Sequence, residues 1–377
     1  MTSKRSMGTP RMQITWLTMA FAVMLTAGCG GSDTTSDKTE ATTESQANTT
    51  MEDSPVAGVT FRFIDTNGIR MRIAEMGDEG PLVLLAHGWP ESWYSWRHQI
   101  PALVEAGYRV VVPEMRGYGE TDAPAQVADY DIVQLAADMV GVLDALGEEK
   151  ATIVGHDWGA VVAASTVLQY PDRFSSLVLM SVPHRGRSES SPMAAMQERV
   201  GDNFFYILYH NEPGGVAEAE YDGDPRGLLS RFYLSPDSPR EAPQITDPER
   251  SAGGMIGRIG ASIGLPHWLT QEDLDFYVTQ FETSGFRGGV NYYRNIERNW
   301  EITEHLSAAK IEVPALFIAG EKDMVIGGAT AEMLKGIMEP VMTDLRGIVI
   351  VPEVGHWIQQ EDPVATNEAL LSFLGAL

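Results

Sequence analysis

The foldable part of the chain opens on alternating apolar and polar positions and then changes to short continuous apolar runs, two patterns that predict two kinds of strand. Val59, Phe61 and Phe63 alternate with polar neighbours, Asn67-Gly68 supplies a two-residue turn, and Ile69, Met71 and Ile73 resume the alternation. That is the pattern of an antiparallel hairpin at a sheet edge. The runs that follow, PLVLLAHG (81–88), RVVVPEM (109–115), ATIVG (151–155) and SLVLMSV (176–182), do not alternate. They suit parallel strands buried on both faces. Helical periodicity lies between them, over 130–146 closed by Gly147 and over 159–170 stopped by Pro171.

From 184 to 305 this rhythm disappears, and the sequence becomes rich in Arg, Glu, Pro, Gly and aromatic residues. The stretch reads as a mainly helical insertion. The strand pattern returns at VPALFIAG (313–320) and GIVIVPEVGHW (347–357), and a last helix is expected from Pro363 to Leu374. The expected fold class is therefore α/β, a mostly parallel sheet flanked by helices. Its core is split into 55–183 and 306–377 by a helical cap over 184–305.

Upstream of the hairpin the pattern is of another kind. Lys4, Arg5 and Arg11 precede an uncharged stretch over 12–28, and Ala27-Gly28 precede Cys29. This is the layout of a secretory signal, and the tail LTAGC is similar to the lipobox of bacterial lipoproteins, with Thr26 where Leu is commonest. The expectation is a signal peptide over 1–28 and lipidation of Cys29, with a plain signal peptide or an uncleaved anchor as alternatives. Residues 29–54 are mostly Ser, Thr, Gly, Asn and acidic, too polar to fold. As a flexible tether this segment has a reach of roughly 25–30 Å.

Composition narrows the function. Among 377 residues, Lys+Arg number 27 against 52 Asp+Glu, a net charge of −25. A surface of that sign repels phosphate backbones and anionic lipid headgroups, so neither nucleic acid nor an electrostatically bound membrane is an expected partner. Removing residues 1–54, with four basic and six acidic side chains, leaves 23 against 46, so the acidity belongs to the folded domain. A single cysteine excludes an internal disulfide framework and any multi-cysteine zinc site.

Gly155-His156-Asp157-Trp158-Gly159 sits where a buried strand turns into a helix, with glycines two before and two after Asp157. Small residues at these positions permit the sharp turn of a nucleophile elbow. An aspartate at its apex is ionised at neutral pH and needs no base to become a nucleophile. It suits attack on a saturated electrophilic carbon, leaving an ester. Hydrolysis of that ester needs a base and a group to orient it. His356 follows the last strand and Asp323 the strand before it, the chain order of the α/β-hydrolase triad. Glu321 competes with Asp323 for the acid role, and Ser181-Val182-Pro183-His184 after the 176–182 strand offers no carboxylate. In His87-Gly88-Trp89-Pro90, the backbone N–H of Trp89 is expected to join that of Trp158 in an oxyanion hole. His87 and His156 read as packing residues.

With these residues in place the sequence resembles the soluble epoxide hydrolases of the α/β-hydrolase fold, over residues 55 to 377. The resemblance rests on HGWPESWYSWRHQIPAL (87–103), RGYGETDAP (116–124), GHDWGA (155–160), FFYILYHNEPG (204–214), GGVNYYRNIERNW (288–300), GEKD (320–323) and GHWIQQEDP (355–363). It implies two cap tyrosines that hold and protonate the epoxide oxygen, Tyr206 and Tyr293. Spacing alone does not select them, since Tyr209 shares a helical face with Tyr206 and Tyr292 adjoins Tyr293. Position 292 is tyrosine where relatives often carry tryptophan. The implied reaction turns a small apolar epoxide and water into a vicinal diol through an alkyl ester on Asp157, with no cofactor or metal. Trp93, Leu265, Trp268 and Phe286 suggest an apolar tunnel. Haloalkane dehalogenases share the Asp nucleophile and are the alternative, although they often carry Asn at the position of Trp89. A non-catalytic binding protein of the same fold is the other. The leader implies export, with the domain lipid-anchored at the outer face of a bacterial membrane.

Overall fold

A computed structural model describes residues 54–377. The expected leader, Cys29 and the expected tether up to residue 53 lie outside them.

Eight strands, β1 (Thr60–Thr66), β2 (Ile69–Met76), β3 (Leu82–Ala86), β4 (Arg109–Pro113), β5 (Ala151–His156), β6 (Phe174–Met180), β7 (Ala315–Gly320) and β8 (Leu345–Val351), form one sheet. Its order is β1-β2-β4-β3-β5-β6-β7-β8. β1 pairs antiparallel with β2, and β2 antiparallel with β4. All other neighbours run parallel. Every residue of β3, β5 and β7 is buried, as the unbroken apolar runs predict. Each Val, Leu, Ile or Phe so placed stabilises the fold by roughly 1.5–3 kcal/mol.

The hairpin closes at Thr66 and Ile69 around Asn67 and Gly68, whose φ values of 43° and 77° match the twist of the strands. Its alternation breaks at Phe63, and in β2 at Arg72, which is buried. Phe63 is only half-buried and carries the Arg70 guanidinium 3.5 Å over its ring, while Ile64 is buried in its stead. The cause is a second covered face. The Ile132–Leu146 helix packs on β1, where the Thr66 hydroxyl donates to the Asp138 carbonyl at 3.0 Å. Gly141 makes this approach possible, because a Cβ there would lie 2.0 Å from Thr66 Oγ1.

That helix starts two residues after the periodicity does. Val127–Tyr130 forms a separate tight turn, and Asp131 caps the helix by accepting from the N–H groups of Val133 and Gln134, both at 3.1 Å. It ends on left-handed Gly147. The next helix, Trp158–Gln169, runs directly from the end of β5. Between β6 and β7 the described chain forms helices, from Pro192–Val200 to Ile296–Ile302, and two isolated bridges but no strand. The last helix occupies Pro363–Leu374.

Candidate active site

Asp157 stands at the carboxyl end of β5 with φ 51° and ψ −118°, a left-handed conformation that costs a non-glycine residue on the order of 1–3 kcal/mol. The glycines around it are required by contact. A Cβ at Gly155 would lie 2.1 Å from the Gly159 carbonyl oxygen, and one at Gly159 would lie 2.0 Å from that of Ala86. A Cβ at Gly88 would come within 2.4 Å of Asp157 Cβ and 2.6 Å of its Oδ1. The elbow and the loop after β3 are thus pressed together. The product of that closeness is a hydrogen bond from the Trp89 N–H to Asp157 Oδ1 at 2.9 Å. The Trp158 N–H, the first amide of its helix, has no acceptor within the helix.

The second carboxylate oxygen faces the histidine. His356 Nε2 lies 3.6 Å from Asp157 Oδ2, and its Nδ1 lies 3.1 Å from each oxygen of Asp323. Asp323 is buried and also accepts from the Val325 N–H at 2.9 Å. Burial would lower the pKa of His356, but the Asp323 and Asp157 carboxylates outweigh it and hold the imidazole well above its ordinary value. Burial would conversely raise Asp323, and the charge of His356 overcomes that, leaving it below the usual carboxylate range. Glu321 does not take part. It is exposed and accepts from the Glu353 N–H at 3.0 Å.

Both histidines expected to pack have assigned partners. His87 Nε2 accepts from the Met115 N–H at 3.1 Å, so Nδ1 carries the proton and donates to the Gly88 carbonyl at 3.0 Å. Burial draws its pKa down to about 4, consistent with an anchor of the turn. His156 does more than pack. Its Nε2 lies 2.8 Å from the His356 carbonyl oxygen, which can only accept, so Nε2 carries a proton. Its Nδ1 is hydrogen-bonded to the buried Glu91 carboxylate, which also accepts from Gln359 Nε2 at 3.0 Å. The Ser181 hydroxyl donates to the same His356 carbonyl at 3.1 Å. Glu91, Ser181 and Gln359 are the residues that sequence reasoning did not single out, since nothing in their local pattern shows a link between segments so far apart in the chain.

Tyr206 opens the Tyr206–His210 helix and Tyr293 lies in the Arg287–Arg294 helix. Their rings meet edge-on with centroids 5.7 Å apart. Burial raises both phenols, and the negative charge of Asp157 is the next cause in each, so both belong to the same site as the carboxylate. The neighbours are occupied elsewhere. Tyr209 donates to Glu220 at 2.9 Å and Tyr292 to the Arg116 carbonyl at 3.1 Å. Trp89 packs on His210 and Tyr293 of these helices, at centroid separations of 4.8 and 5.5 Å, and on Phe232 of the Pro225–Phe232 helix at 5.4 Å. The tunnel expected from sequence does not use all four of its residues. Trp93 and Phe286 are fully buried, Trp93 packed on Phe61 and Phe276 and Phe286 stacked on Phe281.

The site therefore combines a carboxylate with one oxygen held by a backbone N–H, a histidine at its other oxygen whose pKa two carboxylates raise, and two phenols whose pKa burial raises. Comparison with known proteins gives the family. A family model described as the alpha/beta hydrolase fold matches residues 81–363. Epoxide hydrolase A of Mycobacterium tuberculosis is 45% identical over 326 residues, covering 84% of this chain and 98% of that protein. The crystal structure of epoxide hydrolase A from Mycobacterium thermoresistibile is similar at 48% identity with a TM-score of 0.78, covering 85% and 99% of the two chains. An epoxide hydrolase from an endophytic Streptomyces gives 40% identity and a TM-score of 0.77, covering 85% and 96%.

Proposed function

Because the chain belongs to the epoxide hydrolases of the alpha/beta hydrolase fold, we propose that its hydrolysis of epoxides to vicinal diols runs through Asp157, Tyr206, Tyr293, His356 and Asp323. The observation that carries this assignment is the unequal setting of the two Asp157 oxygens, Oδ1 on the Trp89 N–H and Oδ2 beside His356.

Oδ2 is the nucleophile. It forms a bond to an epoxide carbon as the ring carbon–oxygen bond breaks, and the departing oxygen takes a proton from Tyr206 or Tyr293. An alkoxide is far too basic to leave unassisted near pH 7, and a neutral phenol is an adequate acid there. Oδ1 then becomes the ester carbonyl oxygen, already at the Trp89 N–H with Trp158 as second donor. Alkylation also removes the negative charge of Asp157, one of the two charges that hold His356 protonated. The imidazolium then gives its proton, through solvent, to the phenolate left by ring opening, and the neutral imidazole becomes a base at the step that needs one, with Asp323 orienting Nδ1. His356 takes a proton from water, the hydroxide adds to the ester carbon, the oxyanion rests on the two N–H groups, and collapse releases the diol. On collapse the hydroxyl proton of the intermediate passes to the departing alkoxide, and the proton taken from water stays on His356, restoring its resting charged form.

This route puts the oxygen of water into Asp157 before it reaches the diol. A single turnover in oxygen-18 water should label the peptide containing Asp157 and leave the diol unlabelled. Label in the diol with none in that peptide would mean direct attack of water on the epoxide. The dehalogenase alternative is set aside, since the relatives are epoxide hydrolases.

Two further assignments rest on the sequence. Residues 184–305 are taken as the cap that carries both tyrosines. Cys29 is taken as the lipidated residue of an exported protein anchored at the outer face of a bacterial membrane, supported by the LTAGC tail and the uncharged stretch before it. Several acyl chains on one residue give stable anchoring where a single chain is marginal.

A further inference from the structure

Ile358–Glu361, the short helix that follows His356, is buried along its whole length although three of its four residues are polar. Each polar side chain reaches a different place. Gln359 donates at 3.0 Å to Glu91, the carboxylate that also bonds His156. Gln360 Oε1 accepts from Tyr277 at 2.9 Å and from Arg97 at 2.6 Å. Glu361 turns back along the chain toward His356. Its Oε2 accepts from the Gly355 N–H at 3.2 Å and its Oε1 from the Trp357 N–H at 3.0 Å. One carboxylate thus spans the amides on both sides of the histidine.

A carboxylate is costly to bury. Burial raises that of Glu361 above its usual range, against the pull of Ser235, of the two N–H groups and of the His356 charge. The fold makes room for it at residue 355, where a Cβ would lie 2.8 Å from Glu361 Oε1 and 2.6 Å from Pro236 Cδ. The peptide between the two amides is held as well, since the His356 carbonyl accepts from His156 and from Ser181. Just beyond it, the Trp357 indole N–H donates to the Phe232 carbonyl at 2.8 Å. The direction of the imidazole is set by this clamped backbone. Alkylation does not depend on that direction, because Asp157 attacks with its own oxygen. Ester hydrolysis does, because a water must fit between Nε2 and the ester carbon, and a displacement of about 1 Å can cost on the order of 10²-fold.

We propose that Glu361 is a positioning residue for His356, holding the Gly355 and Trp357 amides so that Nε2 meets the water that attacks the ester. The inference rests on the reading of Asp157 as the nucleophile of an epoxide hydrolase. Glu361 touches no reacting atom, and its effect falls on ester hydrolysis while sparing alkylation.

The test separates the two steps by single-turnover mixing with styrene oxide, in the wild type, in Glu361→Gln and in Thr366→Val. Gln has the length of Glu but one acceptor oxygen, so it can hold one amide and sets its own NH2 group against the other. Thr366 anchors the same helix by donating to the Ile358 carbonyl at 3.0 Å and serves as the control for loosening it. Glu361→Gln should alkylate Asp157 within threefold of the wild-type rate and hydrolyse the ester about 10- to 100-fold more slowly, so that the ester accumulates in the intact mass during turnover. Thr366→Val should lower the midpoint of urea unfolding while both rates stay within threefold. Ester hydrolysis within threefold of wild type in Glu361→Gln overturns the inference, as does equal slowing of both steps there. So does a Thr366→Val variant that loses ester hydrolysis to the same extent, since the role would then be structural. Should Glu361→Gln fail to fold, Glu361→Asp, a methylene group too short to reach both amides, is judged by the same two rates. A wild type that neither turns over styrene oxide nor forms an ester on Asp157 would overturn the hydrolase reading, and this inference with it.

Discussion

Replacing Tyr206 and Tyr293 by phenylalanine removes the two hydroxyls and little else. The rings pack on each other at 5.7 Å and Tyr293 also packs on Trp89, Trp158 and His210 at 5.5, 5.1 and 4.5 Å, contacts that phenylalanine keeps. Proton donation in a transition state contributes typically 10²–10⁴-fold, about 2.7–5.4 kcal/mol at 1.36 kcal/mol per decade. With the alkoxide shared between two donors, each single variant should slow alkylation by about 10- to 100-fold. The double variant should slow it by about 10³–10⁴-fold. Single-turnover mixing, followed by fluorescence of Trp89 and Trp158, separates alkylation from ester hydrolysis, and only the first should change. Because burial and then the charge of Asp157 raise both phenols, alkylation should also show no alkaline loss below about pH 10. Tyr209→Phe and Tyr292→Phe should leave the rate alone, since those hydroxyls are bound to Glu220 and to the Arg116 carbonyl. A double variant within threefold of the wild type would refute the assignment.

Four other outcomes follow from the same geometry. In Asp157→Asn one of the two charges holding His356 protonated is gone, so its NMR titration midpoint should fall; an unchanged midpoint would contradict the proposed switch from acid to base. Gly88→Ala forces a Cβ to 2.4 Å from that of Asp157 and should destabilise the fold by about 1–3 kcal/mol while abolishing turnover, read by denaturant titration and diol formation. Buried Glu114 is pushed from 4.5 up to about 7, by burial against the opposing pull of Arg72. Folded protein then binds this proton more tightly than unfolded protein, so stability should decline from about pH 4.5 to pH 7 by roughly 3 kcal/mol, and Glu114→Gln should flatten that decline in urea titrations at pH 5 and 8. Cys29→Ser should end incorporation of labelled palmitate in a bacterial host; incorporation that survives would remove the anchor assignment.

What the sequence made legible was decided by how local each cause is. The runs that became β3 to β7 were readable because strands covered on both faces need apolar residues at every position. The elbow was readable because Gly155 and Gly159 flank the turn that they permit. Phe63 was misleading, since whether a side chain at a sheet edge is buried depends on which helix covers the second face, and that helix is some seventy positions further along. The choice of Tyr206 over Tyr209, and of Tyr293 over Tyr292, came from resemblance and could not come from spacing. The structure separates each pair by the acceptor that the unused hydroxyl has found. The Glu91–His156 link behind His356 joins residues 65 positions apart, and no local pattern marks a buried carboxylate that will meet a buried imidazole.

The central claim is a covalent ester on Asp157 that His356 is needed to release, and one measurement tests it. His356→Gln keeps the Trp89 N–H on Oδ1 and leaves Oδ2 free to attack, but removes the base. Mixed with styrene oxide and examined by intact mass, it should gain the mass of one substrate, with the addition mapped by proteolysis to the peptide holding Asp157 and absent from Asp157→Asn. An unmodified mass under conditions where the wild type turns over, or an adduct on any other residue, would contradict the account.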